Sequence, residues 1–385
     1  MRSTAFRLTA MILALGSVVS GVRAQTNNTI NVVTTAVPFL RISPDARAGG
    51  MGDMGVATSP DANSSFYNIG KTVFNESNGG IATTYTPWLK DLGLNDVYLA
   101  TLAGYYKFDE NQAISLGLRY FSLGDINFTD NLGNDWGQGH PREFSVDFGY
   151  SRKLSEKLGL GVALRYINSN LTAGSPNAGN TNYKPGSAVA ADLGLYYNNH
   201  NDAGQGWAFG GAFTNLGSKI AYTDNADQKD FIPANFSLGA VYTKVIDESN
   251  KIAFGVEVNK LLVPEFKGND TSTSDVTAYR QKSSMNGWFS SFSDFPGQAN
   301  ASIGAEYSYN NQFSIRAGYF YEDKNRGNRK YFTMGVGVKY NVFGLNFSYL
   351  LPSGSGVNRN PLSNTLRFTI LFDLGANQQA TTSEE

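Results

Sequence analysis

The sequence predicts an all-β protein, a 14-stranded antiparallel transmembrane β-barrel with a short N-terminal plug that contains small helices. Apolar and polar residues alternate in about fourteen stretches between Ile81 and Leu374, and the connections between these stretches are alternately long and short. The chain also carries 25 Phe and 21 Tyr, a supply that suits two aromatic girdles. Together these features are typical of an outer-membrane barrel.

The alternation is clearest in residues 114–120, where Ile114, Leu116 and Leu118 alternate with polar or small residues. Successive side chains of a strand point to opposite faces, so this stretch has one apolar face and one polar face. The same pattern predicts strands at 80–86, 97–108, 112–123, 143–153, 157–170, 186–198, 205–215, 234–245, 250–260, 299–310, 312–322, 329–341, 343–351 and 363–374.

The connections predict how the barrel sits in the membrane. The short ones are residues 109–111, 155–156, 247–250, 310–311 and 341–342. The long ones are residues 87–96, 124–142, 171–185, 216–233, 261–298, 323–328 and 352–362. Short turns belong to the periplasmic rim and long loops to the outside, so an even number of strands leaves both termini in the periplasm.

The two faces of the strands predict the register. Apolar positions such as 144, 146, 148 and 150 form an uncharged, lipid-facing set. The charged residues fall on the opposite face, at Arg119, Asp147, Arg165, Asp192, Glu257, Glu306, Arg316, Lys339 and Arg367. A slip of one residue would place an arginine in lipid at about 2–4 kcal/mol near the midplane. A soluble β-sandwich also alternates, but it does not explain the asymmetry of the connections.

The first residues have the features of a secretory signal peptide. Arg2 and Arg7 precede an apolar run, and small residues lead to a predicted cleavage after Ala24. Removal of residues 1–24 would leave 385 − 24 = 361 residues. The mature chain then divides into a plug at 25–79, a barrel at 80–374 and a polar tail at 375–385.

A barrel of this size has a lumen too wide for its own side chains to fill, so it is either plugged or a pore. Residues 25–79 are the candidate plug. Ser43-Pro44-Asp45-Ala46 recurs as Ser59-Pro60-Asp61-Ala62, and each copy predicts a short helix with a capping serine and an early proline. Glycines at 49–55 predict close backbone packing. The residues expected to carry the plug are Asp45, Arg47, Gly49, Gly50, Asp53, Asp61 and Asn68.

Composition and motifs argue against enzymatic chemistry. The chain has no Cys, and its formal net charge of −1 does not favour nucleic acid as a partner. The two histidines, His140 and His200, have no neighbouring nucleophile motif. We expect no catalytic residue, no cofactor and no metal site. The acidic loop at 124–142 is oxygen-rich but lacks EF-hand spacing, so we expect a solvated loop.

The long loops are the predicted binding surface. The longest, at 261–298, contains an aromatic cluster of Trp288, Phe289, Phe292 and Phe295. Such a cluster indicates either a surface for a partner or a loop helix that packs over the barrel mouth, and the two are compatible. Second in rank are the loop with Trp136 and the basic loop with Arg326, Arg329 and Lys330.

Five segments carry a resemblance to known proteins. Residues 45–63, with Ala48-Gly-Gly-Met-Gly-Asp-Met-Gly55 at their centre, resemble the N-terminal hatch of the FadL-like superfamily of fourteen-stranded outer-membrane transporters. The chain departs from that hatch at Asn68-Ile69-Gly70, where its members often carry Asn-Pro-Ala-Gly. Gly287-Trp-Phe-Ser-Ser-Phe-Ser-Asp-Phe-Pro-Gly297, with residues 316–323, 327–340 and 360–368, resembles the PorV (LptO) family of the Bacteroidetes type IX secretion system.

This resemblance implies a non-enzymatic carrier. Members of the family associate with the giant translocon barrel (SprA or Sov), bind secreted cargo by its C-terminal signal domain and present it to a PorU-like sortase, which attaches it to surface lipopolysaccharide. The expected partners are therefore these proteins and outer-membrane lipids. The competing interpretation is a FadL-like transporter of fatty acids or other hydrophobic compounds, and a general porin is the third.

Overall fold

The structure is a computed structural model, and it describes residues 34–90, 93–129, 132–171, 183–224, 229–266, 272–294, 299–323, 327–352 and 364–375. The predicted signal peptide at 1–24, the beginning of the predicted plug and most of the predicted tail lie outside these residues.

Among the described residues, fourteen strands form one closed antiparallel barrel, in which sequence neighbours pair and β1 pairs with β14. The strands are β1 (Gly79–Pro87), β2 (Val97–Asp109), β3 (Gln112–Leu123), β4 (Arg142–Lys153), β5 (Leu158–Asn170), β6 (Gly186–His200), β7 (Gly206–Gly217), β8 (Asn235–Val245), β9 (Asn250–Leu261), β10 (Ala299–Tyr309), β11 (Phe313–Glu322), β12 (Lys330–Tyr340), β13 (Phe343–Pro352) and β14 (Leu366–Leu374). The predicted fold class is confirmed. The largest error in a predicted bound is at the start of β14, which begins at Leu366 instead of 363.

The register is the one that the alternation predicts. Outward Phe148 on β4 is exposed, whereas its neighbour Asp147 is buried and lies opposite Arg165 of β5. Lys339 also stands on the inward face, but near the short-turn rim, where it is exposed and pairs with Asp373 at 2.5 Å. Turn chemistry supports the same register: Asn310 and Asn311 adopt φ values of 53° and 55°, as a two-residue type I′ hairpin requires.

The long connections contain elements that the alternation did not predict. One small hairpin pairs Ile126–Thr129 with Asp135–Gly139, and a second pairs Ile220–Ala221 with Lys229–Asp230. The loop between β9 and β10 contains two helices, which we call α2 (Thr273–Gln281) and α3 (Ser284–Ser291). Ser272 and Ser283 cap them by accepting hydrogen bonds from the Asp275 and Asn286 amides.

From residue 34 to the start of β1, the structure shows four short helical turns: Pro38–Arg41, α1 (Ala46–Gly49), Ser64–Phe66 and Ile69–Phe74. Among the described residues, no helix is both long enough and apolar enough to cross a membrane. Helices form near both Ser-Pro-Asp-Ala motifs, but the capping serine was predicted wrongly. Asp45 caps α1 instead, and the hydroxyl of Ser43 is hydrogen-bonded to Tyr67 at 2.9 Å.

Candidate functional site

The N-terminal segment, residues 34–78, lies against the inward face of the barrel, and we call it the plug. Its contacts with the wall follow the barrel around its circumference. Gly49 and Gly50 approach β11 to β14, and Gly52 approaches β10 and β11. The remaining strands are met by Met54 (β9), Val56 (β7 and β8), Asn68 (β6), Ile69 (β4 and β5), Phe66 (β3), Pro44 (β2) and Ala62 (β1).

Inward glycines of the strands allow this approach. A Cβ atom added to Gly210 of β7 would lie 2.1 Å from the carbonyl oxygen of Val56. At Gly318 of β11, it would lie 2.2 Å from the amide nitrogen of Gly52. Since real Cβ atoms do not come so close, the plug backbone touches the wall at positions where only glycine fits.

Arg47 is the central charge of the plug. Its guanidinium donates two hydrogen bonds to Glu306 of β10, at 3.0 and 2.8 Å, and one to Asp61 at 3.1 Å. Glu306 also accepts from Arg316 of the neighbouring strand at 2.5 Å. Burial alone would lower the pKa of Arg47, but the two carboxylates outweigh it and hold that pKa above its usual range. The guanidinium therefore stays charged and joins plug to wall.

Asp45 organises the start of the plug. One of its oxygens caps α1 by accepting from the amides of Arg47 and Ala48, at 2.7 and 3.0 Å. The other accepts from the hydroxyl of Tyr67 at 2.7 Å. Burial, with a smaller effect from Asp61, raises the pKa of the Asp45 carboxyl above its usual range.

Two further anchors join the middle of the plug to the wall. Asp53 has a φ of 63° and accepts a 2.6 Å hydrogen bond from Tyr331, and one of its oxygens lies 3.2 Å from Arg367. In the second anchor the carboxylate belongs to the wall and not to the plug. Glu257 of β9 accepts from the amides of Gly55 and Val56, at 2.8 and 2.9 Å. The Glu257 carboxylate thus satisfies two plug amides that would otherwise be buried without partners.

Asn68 joins plug and wall through its side-chain amide, which donates to the carbonyls of Val56 and Leu195, each at 2.9 Å. Lys71, which the sequence analysis did not identify, is fully buried beside it. Its ammonium donates to the Gly55 carbonyl at 2.7 Å and the Thr58 hydroxyl at 3.0 Å. Burial lowers its pKa to about 8. No periodic or motif signal marks such a lysine.

The remaining inward charges pair with one another or bind the plug, as Arg119 of β3 does through plug carbonyl groups. Arg165 of β5 contacts Asp147 at 2.5 Å and Asp192 at 3.0 Å. It also donates to the side-chain carbonyl of Asn215. A polar path along the wall and mutual pairing were both open from the sequence, and in these contacts the charges are paired.

A cavity of about 130 Å³ remains between the plug and the wall. Its lining is mainly polar and includes Asp53, Arg119, Asn215, Glu257 and Arg329. It is therefore smaller than the roughly 300–1,000 Å³ of typical pockets for small-molecule ligands.

The aromatic cluster of the long loop is only partly buried. Trp288 is half-buried, whereas Phe289 is 70% exposed and Phe292 is 41% exposed. Phe295 lies outside the described residues. On the inner side of α3, Gly287 is buried against Phe231, with 2.8 Å between the position of an added Cβ and that ring. The loop helix does pack on the barrel mouth, but it leaves apolar side chains uncovered.

In the basic second-rank loop, Arg329 and Lys330 are less exposed than the sequence suggests. Arg329 donates two 2.7 Å hydrogen bonds to Glu322, and its guanidinium lies 5.2 Å from the centre of the Phe320 ring. The Lys330 ammonium lies 5.1 Å from the centre of the Tyr321 ring. Arg326 and the side chain of Trp136 lie outside what the structure describes.

Comparison with known proteins identifies the family. The family model described as type IX secretion system protein PorV matches residues 24–267, more than half of the chain. The chain belongs to the PorV family. The match covers the plug and β1 to β9. It ends before α2 and α3, so the resemblance noted in residues 287–368 lies outside the matched residues. No curated protein sequence matches this PorV-family chain.

Solved structures support the fold. The P. putida toluene transporter TodX is 13% identical with a TM-score of 0.53, over 87% of this chain and 99% of that one. The Ralstonia pickettii toluene transporter TbuX is 14% identical with a TM-score of 0.50, over 86% of this chain and 97% of that one. At such identities, the likeness shows a shared fold alone. Family and fold together place this chain among the outer-membrane barrels of type IX secretion.

Proposed function

We propose that this PorV-family protein is a non-enzymatic cargo carrier of the type IX secretion system. It binds secreted proteins by their C-terminal signal domain, collects them from the translocon barrel and delivers them to the sortase that attaches them to lipopolysaccharide. The long loops face the outside and both termini face the periplasm. No bond is made or broken by the carrier itself.

The plug is the observation that carries this proposal. The plug contacts the wall on every side of the lumen, and at wall glycines such as Gly210 and Gly318 its backbone leaves no room for a side chain. A folded cargo domain is far larger than the 130 Å³ cavity that remains. Cargo is therefore bound at the long-loop rim and not inside the barrel. Among the residues that the structure describes, the loop that holds α2 and α3 is the largest structured element at this rim.

A loop replacement tests this proposal. A Gly/Ser linker in place of residues 285–296 removes the aromatic cluster and leaves all fourteen strands intact. We expect the variant to insert in the outer membrane but to retain cargo in the cell. The control carries a Gly/Ser linker at the short-turn residues 201–204 and secretes normally. Normal secretion by an inserted loop variant would overturn the assignment of this loop.

A pull-down tests the partners directly. The tagged protein is extracted from its native host in mild detergent, and the bound proteins and lipids are identified by mass spectrometry. We expect a very large barrel and secreted proteins that share one C-terminal domain. Recovery of lipid or fatty acid alone would instead support the transport of hydrophobic compounds, an interpretation to which the polar cavity lends no support.

A further inference from the structure

The outward surface of β7 to β9 is covered by protein near the long-loop rim. Phe213 and Phe236 are register partners on the outward faces of β7 and β8, with ring centres 4.8 Å apart. Lys260 of β9 is the partner of Phe236 on the other side, and it shares the outward face with the exposed Val256 and Val258. Yet Lys260 is 0% exposed.

The segment that follows α3 reaches this part of the wall. The ring of Phe292 lies with its centre 6.3 Å from that of Phe236. Because Phe236 stands on the lipid-facing side of the barrel, the end of α3 extends from the mouth over the rim to the outside of the wall. The loop is therefore not confined to the barrel opening.

The helix presents one apolar face in this position. Gly287 and Ser291, four residues apart, are buried on the side toward the barrel. Met285, Phe289 and Phe292 recur at intervals of four and three residues and are 59%, 70% and 41% exposed. Such spacing places them on one side of a helix. Residues 283–293 contain no charged side chain.

We propose that α3 is an interfacial membrane anchor, whose Met285, Phe289 and Phe292 side chains enter the lipid beside β7 to β9. The argument is continuity, since Phe292 joins this apolar face directly to the lipid-facing aromatics Phe213 and Phe236. Aromatic and apolar side chains at this level bind the boundary of headgroups and acyl chains. In the orientation proposed above, this is the outer leaflet.

The anchor gives the two loop helices different tasks. α2 has no buried residue and carries Asp275 and Arg280, so it is the polar part of the loop. Tyr279 of α2 packs against Phe231 and Phe266 at the rim, whereas Ser274 and Asp275 face the solvent. The inference rests on the place of the barrel in a membrane and not on cargo transport, so either proposal can fail without the other.

Spin-label accessibility tests the anchor, and the chain suits it because it contains no cysteine. The full-length variant Phe289→Cys carries a nitroxide and is reconstituted in phosphatidylcholine vesicles. Leu238→Cys on the lipid-facing wall is the buried-in-lipid reference, and Ser274→Cys on the exposed side of α2 is the aqueous reference. Collision rates with oxygen and with a water-soluble nickel chelate are measured by electron paramagnetic resonance.

We expect the label at position 289 to resemble the label at 238, with frequent oxygen collisions and several-fold fewer nickel collisions than the label at 274. The same ordering is expected for Met285→Cys. If both labels on α3 match the label at 274, the helix lies in water and the proposal is overturned. In that case, the apolar face is a binding surface for a protein partner, which the vesicles do not contain.

Discussion

At the scale of single residues, the plug is held by buried charges whose partners lie far away in the chain. Arg47 and Glu306 are 259 residues apart, and their two hydrogen bonds join α1 to β10 on the lumen side of the wall. Each charge is removed from water, so each depends on the other for compensation. Either residue without its partner would therefore be a buried, uncompensated charge that destabilises the fold.

The variant Arg47→Gln leaves Asp61 without its cation and Glu306 with only Arg316. We expect a loss of about 3–5 kcal/mol in the free energy of unfolding, because removal of one partner strands buried charge. Guanidinium unfolding in lipid vesicles measures it, with the exposed Arg152→Gln as a control. Equal stability of the two variants would show that the pair contributes nothing.

Lys71 makes the stability of the plug depend on pH. Its pKa is lowered by burial to about 8, whereas an unfolded lysine keeps its proton up to about 10.5. Between these values, the unfolded chain binds more protons than the native one, so stability rises as the pH rises. Below pH 8, both forms are protonated and this gain is absent.

We therefore expect the difference in unfolding free energy between wild type and Lys71→Met to shift in favour of wild type from pH 8 to pH 10.5. Guanidinium titrations at several pH values measure that difference, and the variant cancels the contribution of the other titrating groups. A difference that stays constant over this range would contradict a lowered pKa of Lys71.

At the scale of elements, the residues of the strands accommodate the plug as well as the neighbouring strands. Gly210 and Gly211 are neighbours on β7, but they face opposite sides. A Cβ atom at 210 would lie 2.1 Å from the Val56 carbonyl, whereas one at 211 has its nearest neighbour, Leu238, at 3.8 Å. Only at Gly210 does contact with the plug exclude a side chain.

We expect Gly210→Ala to cost about 1–3 kcal/mol, as overpacked sites do. Gly211→Ala is the matched control, since it makes the same chemical change on the same strand and should alter stability little. Unfolding in vesicles compares them, and limited proteolysis reports whether the plug segment becomes accessible. If both variants behave alike, close packing between β7 and Val56 is excluded.

The second helix of the longest loop, α3, has local sequence signals for a helix. Met285, Phe289 and Phe292 have helical spacing, and Ser283 precedes them as a cap. These features are visible in the sequence, which left open a surface for a partner and a loop helix that packs over the barrel mouth. The side of the helix that packs inward was not predictable, because Gly287 meets Phe231 from another loop.

At the scale of the whole molecule, the barrel and the plug carry partly separate charge networks. Arg165 is compensated by Asp147 and Asp192, which all belong to the wall. These wall residues can stay paired without the plug, whereas Arg119 and Glu257 would lose the plug backbone groups that they bind. A fourteen-stranded lumen without a plug is wide enough to hold water.

Deletion of residues 34–78 should convert the protein into an open pore. We expect steady ionic conductance in planar bilayers, where the full-length chain conducts little. Circular dichroism and resistance of the folded barrel to detergent at room temperature verify that the variant has assembled. An assembled variant without conductance would mean that loops, and not the plug, close the lumen.

The sequence by itself determined the strands, their faces and their register, including the inward position of Arg165 and Glu306. The reason is physical: alternation is a property of adjacent residues, and lipid penalises each misplaced charge independently. Only the tertiary structure decided that Arg47 meets Glu306, that Lys71 is buried, and which glycines face the plug. These contacts join parts of the chain that are distant in sequence, so no local pattern records them.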